Sequence, residues 1–204
     1  MSKIRGLYYL KAFGYEFIDS HLSFQNEDLD FYQLKAQIAN CSLCTLSKKR
    51  KCSVLDKMKK PCKLMIVDSF ISKSENDSGV ILNSNKGLNL KTMLKESLFL
   101  HEEEYYMSYV LKCFSANKND DFALKQCLPY WFNEFYLLCP KVVLILGQNS
   151  FECLGFKDFS LLRGELFSYK NSWIMSTFDL DFIAKNPSFK QDFLADLQKI
   201  KGLL

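Results

Sequence analysis

PKVVLILG, residues 140–147, decides the fold class. Its aliphatic run has strand length and no polar alternation, which marks a strand buried on both faces, and Gly147 stops it. Working outward, residues 121–138 carry the spacing of a long amphipathic helix, and residues 150–154 read as a short one. Residues 164–169 and 172–176 form a strand pair across a turn, and residues 188–200 a final helix capped by Ser188. Upstream, residues 105–111 and the apolar run 63–67 are strand-like, residues 86–98 are helical, and SKSENDSG, 72–79, is a polar stretch. A further helix starts at Glu27 on the pattern Leu29, Tyr32, Leu34, Ile38, with Asn26, Glu27 and Asp28 at its start, and ends at Asn40-Cys41. Strands alternating with helices predict an α/β protein, a three-layer αβα sandwich around a mostly parallel central sheet. Residues 27–204 form that domain. Residues 1–26 lack a clean period and read as an N-terminal extension, with helical character over 7–17.

The chain has 204 residues, 48% hydrophobic and 25% charged, which suits one ordinary domain and excludes disorder, collagen-like repeats and a small disulfide scaffold. A net charge of +4 permits a nucleic-acid partner without arguing for one. The start, MSKIRGLYYLKAFGYEF, has neither the long apolar region nor the cleavage site of a signal peptide. No window approaches the roughly 18 apolar residues of a membrane span. The expected setting is cytoplasmic, with no membrane contact, where grouped cysteines hold metal or sit in the core.

Of eight cysteines, Cys41 and Cys44 form a C-x2-C, and Cys113 and Cys127 a wider pair, with 68 residues between the two pairs. Four thiolates suit an iron–sulfur cluster or a structural zinc, if the fold brings the strand end at Lys112-Cys113 beside the helix carrying Cys127. Cys41, Cys44, Cys52 and Cys62 offer a compact zinc knuckle instead, and scattered core thiols are the plain alternative. Spacing alone does not choose among these. Between Lys48 and Lys63 lie eight basic residues (Lys48, Lys49, Arg50, Lys51, Lys57, Lys59, Lys60, Lys63) and one acid, Asp56, while the rest of the chain is net acidic. That asymmetry marks either a solvated loop or a patch that contacts phosphates without reading sequence.

The order of features resembles the iron–sulfur uracil-DNA glycosylases, families 4 and 5 of that superfamily. The resemblance covers roughly residues 34–202 and is carried by CSLCTLSKKR at 41–50, YVLKC at 109–113, QCLPYWFNEFYLL at 126–138, PKVVLILG at 140–147, Arg163-Gly164 and KQDFLADLQKIK at 190–201. It implies that Cys41, Cys44, Cys113 and Cys127 ligate a [4Fe–4S] cluster, with zinc as the alternative. It leaves Cys52, Cys62, Cys139 and Cys153 as ordinary thiols.

The chemistry implied is hydrolysis of an N-glycosidic bond. The base leaves the stack for a pocket, a carboxylate positions water, donors stabilise the departing anion and a ring stacks on the base. Here the catalytic motifs depart from the family's. With Gly79 and Gly87 as anchors, Asp68-Ser69-Phe70-Ile71-Ser72 falls on G-E-x-P-G, so Ser69 replaces the first acid and Glu75 falls on the second. Leu82 replaces the stacking Phe, and Tyr109 falls near the Asn that reads uracil. Thr177-Phe178-Asp179-Leu180-Asp181 occupies T-x-H-P-S, putting Asp179 on the histidine, and the chain's two histidines, His21 and His101, lie elsewhere. Asp179 and Asp181 read as new acids or as helix caps. The expectation is a catalytically impaired iron–sulfur protein that binds DNA through Lys48, Lys49, Arg50 and Lys51, or binds a DNA-processing partner. The alternative is an active DNA glycosylase, for uracil or another damaged base, in which Glu75 is the remaining acid.

Overall fold

A computed structural model describes residues 30–57, 62–116 and 120–204. The expected extension over 1–26, its helix over 7–17, and Asn26, Glu27, Asp28, Lys59 and Lys60 lie outside the described residues.

Five strands form one sheet in the order β2-β1-β3-β5-β4. They are β1 (Leu64–Asp68), β2 (Tyr105–Tyr109), β3 (Val142–Leu146), β4 (Leu166–Tyr169) and β5 (Ser172–Thr177). All neighbours are parallel except β4, which runs antiparallel along β5 at the edge. Nine α-helices are described: α1 (Phe31–Ala39), α2 (Leu46–Lys49), α3 (Lys73–Ser78), α4 (Asn85–Leu98), α5 (Asp121–Leu138), α6 (Gly147–Cys153), α7 (Phe159–Leu162), α8 (Leu180–Lys185) and α9 (Lys190–Lys201).

Alternation along the strands feeds two cores. On β1, Met65 and Val67 face one side, with Val143, Ile145 and Ile174, against Leu34 and Ile38 of α1 and Trp131 and Phe135 of α5. Leu64 and Ile66 face the other, with Val142, Leu144 and Met175, against Leu90 and Leu94 of α4 and Phe193 and Leu197 of α9. Covering both faces is why the inner strands read as unbroken apolar runs, and the architecture is the expected three-layer sandwich.

Several boundaries differ from the sequence reading. The first helix is capped by Asp30, whose side chain accepts the Gln33 N–H at 2.7 Å. The polar stretch 72–79, to which the sequence reading gave no element, contains α3, held by a capping box in which Ser72 and Glu75 exchange hydrogen bonds. The S-x-x-E signal was in the sequence, but the helix is too short to show a period. Ser188 does not cap the last helix: it sits in a 3-10 turn, Pro187–Phe189, and α9 starts at Lys190 with no side-chain cap. The helix expected at 150–154 begins at Gly147, directly off β3. Within α5, Pro129 interrupts the backbone ladder.

Candidate functional site

A cleft of about 700 Å³ opens beyond the carboxyl ends of the strands, bounded by Asp68 at the end of β1, Tyr109 at the end of β2, Leu146 at the end of β3 with Gly147 after it, and Asp179 after β5. Between β1 and β3 the strand order reverses, and open α/β sheets hold ligands at such switch points. The five positions singled out in the sequence, Ser69, Glu75, Leu82, Tyr109 and Asp179, all line this cleft.

Their side chains serve the fold. Glu75 is 2% exposed. Its Oε2 accepts the Ser72 N–H at 2.7 Å, and its Oε1 accepts the Leu82 N–H at 2.7 Å and the Tyr109 hydroxyl. Three donors therefore hold this carboxylate against the cleft wall. Burial, and after it the Glu75 charge, keeps the Tyr109 hydroxyl protonated well above the ordinary tyrosine range. Leu82 is buried with a positive φ of 52°, and its backbone lies so close to α4 that a Cβ on Gly87 would stand 2.6 Å from the Leu82 Cα. Ser150 donates to the Leu146 carbonyl at 2.6 Å, so the Ser69 hydroxyl, 2.7 Å from Ser150 Oγ, donates to Ser150.

Asp179 is a helix cap: its Oδ1 accepts the Phe182 N–H at 2.7 Å. Gly147, at φ 81°, makes room for it, since a Cβ there would meet the Asp179 Cβ at 2.7 Å. Asp181 pairs with Lys86. Behind this loop, Thr177 donates to buried Asp196 at 2.7 Å, and Arg163 and Lys199 approach the same carboxylate at 3.7 and 3.6 Å. The Arg163-Gly164 and Asp196-Leu197 motifs therefore brace the end of β5 from below the cleft.

The sequence reading placed Asp68 and Phe70 in G-E-x-P-G without giving either a role, and it passed over other parts of the wall. Asp68 lines the cleft at the strand end and accepts the Ser69 N–H at 2.6 Å. Phe70, Phe114 and Phe182 contribute aromatic surface, Asn149 an amide, and Lys73 and Lys185 cationic groups. Two signals were available for Asp68: its place at the carboxyl end of an apolar strand and its alignment with the first Gly of G-E-x-P-G.

On the opposite core face, Cys44, Cys113 and Cys127 are buried in one apolar cluster, with Cys41 packed against it, at the end of α1, the segment after β2 and the first half of α5. Cys113 lies within electrostatic reach of Cys44 and Cys41, and Cys127 of Cys113 and Cys44. Burial pushes the Cys127 thiol up to about 12, opposed by a hydrogen bond from the Lys112 N–H. Burial also raises Cys113, opposed by the Arg50 guanidinium. One helical turn beyond Cys127, the buried Trp131 indole N–H finds no partner among the described residues. Beneath the site lies a buried network. Lys112 Nζ donates to Glu134 Oε2 at 2.6 Å and to Ser108 Oγ at 2.9 Å, Ser108 donates to Glu134 at 2.5 Å, and Tyr106 donates to Glu134 Oε1 at 3.0 Å.

The compact knuckle is not assembled. Cys52 packs against Gly79 at the end of α3, and Cys62 lies in the core near Cys139 and Asp56. Among the described residues, no three of His, Cys, Asp or Glu are grouped tightly enough to hold a single metal ion.

The four basic residues at 48–51 part ways. Lys48 and Lys49 are exposed at the end of α2. Lys51 pairs with Asp77 at 2.8 Å, and its N–H donates to Asn76. Arg50 turns inward, with Nη1 donating to the Ile38 carbonyl at 3.0 Å and to Cys113 Sγ at 3.5 Å, and Nη2 donating to the Ala39 carbonyl. Among the described residues no helix is long and apolar enough to cross a membrane.

Residues 56–198 match the family model described as the uracil DNA glycosylase superfamily. The chain is 25% identical over 183 residues to a Type-4 uracil-DNA glycosylase of Sulfurisphaera tokodaii, covering 84% of this chain and 83% of that one. It is 27% identical over 186 residues to one from Pyrobaculum aerophilum, covering 85% and 94%. A third, from Saccharolobus solfataricus, is 22% identical over 180 residues, covering 82% and 83%.

Proposed function

The chain belongs to the uracil DNA glycosylase superfamily, and from that premise we propose a DNA-binding iron–sulfur protein whose cleft excises uracil poorly or not at all. The observation that carries this reading is the commitment of the expected acids to the fold. Glu75 holds three donors and Asp179 caps a helix, while Asp181 is paired with Lys86. Asp179 also puts negative charge where the family places a donor for the departing base. An anion there raises the barrier, because it repels charge developing on the leaving group.

Cys41, Cys44, Cys113 and Cys127 would hold the cluster. Their chemistry fits it: reduced thiols in an apolar setting, flanked by the Arg50 guanidinium and the Lys112 N–H as donors to sulfur, with the Trp131 N–H still without an acceptor. When bound, that group ties four positions of the chain together. All eight cysteines are unpaired, as a reducing cytoplasmic setting keeps them. Exposed Lys48 and Lys49 on α2, and Lys73 and Lys185 at the cleft, offer phosphate contacts that carry no base preference. Residues 27–204 act as one domain in this reading, with 1–26 as an extension; a protein partner in DNA processing would dock on the same scaffold.

A second reading rests on Asp68 and the rings of Phe70, Phe114 and Phe182, which give the cleft an acid at a strand end and surfaces for a flat base. In it, the protein is an active glycosylase with Asp68, not Glu75, as the acid. Incubation with a uracil-containing single-stranded oligonucleotide separates the two. The first expects no release over hours by wild type. Robust release that Asp68→Asn abolishes in a folded protein would establish the second.

A further inference from the structure

We propose that Arg50 is a positioning residue of the cysteine site, a guanidinium clamp that fixes the segment bearing Cys41 against the strand end bearing Cys113. The inference rests on the cluster reading above and takes Arg50 out of the phosphate-contacting set.

The sequence places Arg50 in the run Lys48-Lys49-Arg50-Lys51, where charge alone predicts a solvated face. The structure separates it from its neighbours: Lys48, Lys49 and Lys51 are exposed, whereas Arg50 is half-buried. Its contacts go to two places. The carbonyls of Ile38 and Ala39 belong to the last turn of α1, and the Ile38 carbonyl also accepts the Cys41 N–H at 3.2 Å. Cys113 Sγ belongs to the segment after β2, 63 positions away along the chain. Cys41 follows Ala39 by two residues, so holding the end of α1 holds Cys41.

A planar guanidinium has five donors in a fixed fork and can reach two carbonyls and a sulfur at once. A lysine ammonium in the same place is a compact charge on a flexible stem, without the fork. Lysine therefore keeps the charge and loses the clamp. Four thiolates around iron carry negative charge, and a cation that donates to one sulfur makes reduction easier. Removing it therefore shifts the reduction potential to more negative values. The same segment also braces the cleft: the Lys51 N–H bonds Asn76 of α3, and Cys52 packs on Gly79. A loosened Arg50 releases the chain that supports the helix carrying Glu75.

The test compares wild type, Arg50→Lys, Arg50→Gln and a Lys48→Gln/Lys49→Gln control, all purified without oxygen. Iron and sulfide per chain, bleaching rate in excess chelator, one-electron reduction potential and the salt dependence of single-stranded DNA binding are measured. Arg50→Gln should bleach at least tenfold faster, with a more negative potential and an unchanged salt slope. Arg50→Lys should also bleach faster, with a smaller shift in potential, and it carries the test if the Gln variant is insoluble. The control should keep wild-type bleaching and flatten the salt slope by about 1.4, two phosphate contacts' worth for a single strand. Wild-type bleaching and potential in both Arg50 variants would overturn the proposal, as would a flattened salt slope with an intact cluster. Wild-type protein without iron and sulfide would instead remove the cluster reading, and the proposal with it.

Discussion

Lys112→Met is the most informative single change, because it cuts the buried ion pair beneath the cysteine site. Lys112 and Glu134 are 3% and 1% exposed and 2.6 Å apart. With the ammonium gone, Glu134 keeps the hydroxyls of Tyr106 and Ser108 but no compensating charge. Breaking a buried pair by removing one partner costs about 3–5 kcal/mol. Against a total stability of about 5–15 kcal/mol, that is a large fraction. For a urea slope of about 2 kcal/mol per molar, the midpoint should fall by roughly 1.5–2.5 M. Lys112→Met/Glu134→Leu removes both charges. It leaves the Tyr106 and Ser108 hydroxyls short of an acceptor, at about 1–3 kcal/mol for each donor left unsatisfied. The double variant should therefore cost less than the sum of the two single variants, with a coupling of about 2 kcal/mol or more. Urea melts of wild type, both single variants and the double variant, followed by far-ultraviolet dichroism at pH 7, give the cycle. Additive losses, or a single-variant loss below about 1 kcal/mol, would refute the view that Lys112 and Glu134 act as one buried unit.

Wild-type protein purified without oxygen should be brown; Cys41→Ala and Cys113→Ala should each bleach it and Cys52→Ala should not, as read by visible absorbance. Gly147→Ala should destabilise by about 2 kcal/mol or more, measured by thermal melting, because a side chain at φ 81° is strained and its Cβ would collide with Asp179. Stability should fall as pH rises past 10. Burial, then the neighbouring carboxylates of Glu134 and Glu75, hold the Tyr106 and Tyr109 hydroxyls well above the ordinary 10.0. The unfolded chain gives up these protons first, so unfolding releases protons in that range, and below it the two tyrosines add no pH dependence. Urea midpoints from pH 8 to 11 check the slope, and Tyr109→Phe should remove part of it.

The layers were legible because burial on both faces writes itself into composition. Val142–Leu146 has no position facing water, and its unbroken aliphatic run says so. Short capped elements were less legible. Ser72 and Glu75 carry a capping signature, but the six-residue α3 gives no period to support it. For the cleft, aligned motifs located Ser69, Glu75, Leu82, Tyr109 and Asp179 in one wall. They did not disclose what each side chain does, because that depends on partners from other elements. Glu75 is held by Tyr109, 34 positions away, and by Leu82. Arg50 looked like its lysine neighbours for the same reason: direction is decided by the end of α1 and by Cys113, which the local sequence does not contain.

Pro129 divides α5 into two regions of unequal protection. It has no N–H, so the carbonyl of Lys125 loses its helical partner in the middle of an 18-residue helix. Residues 121–128 hold Cys127 and are joined to the rest by a weakened ladder, while residues 130–138 are anchored by Trp131, Glu134, Phe135 and Leu138. Amide hydrogen exchange should therefore proceed in two steps along one helix, the earlier half opening locally and the later half only with the whole domain. The half that opens first is the one bearing a cysteine of the four-thiol site. Loss of the proposed cluster would thus register as faster exchange over those few amides, long before any change in the helix content of the protein.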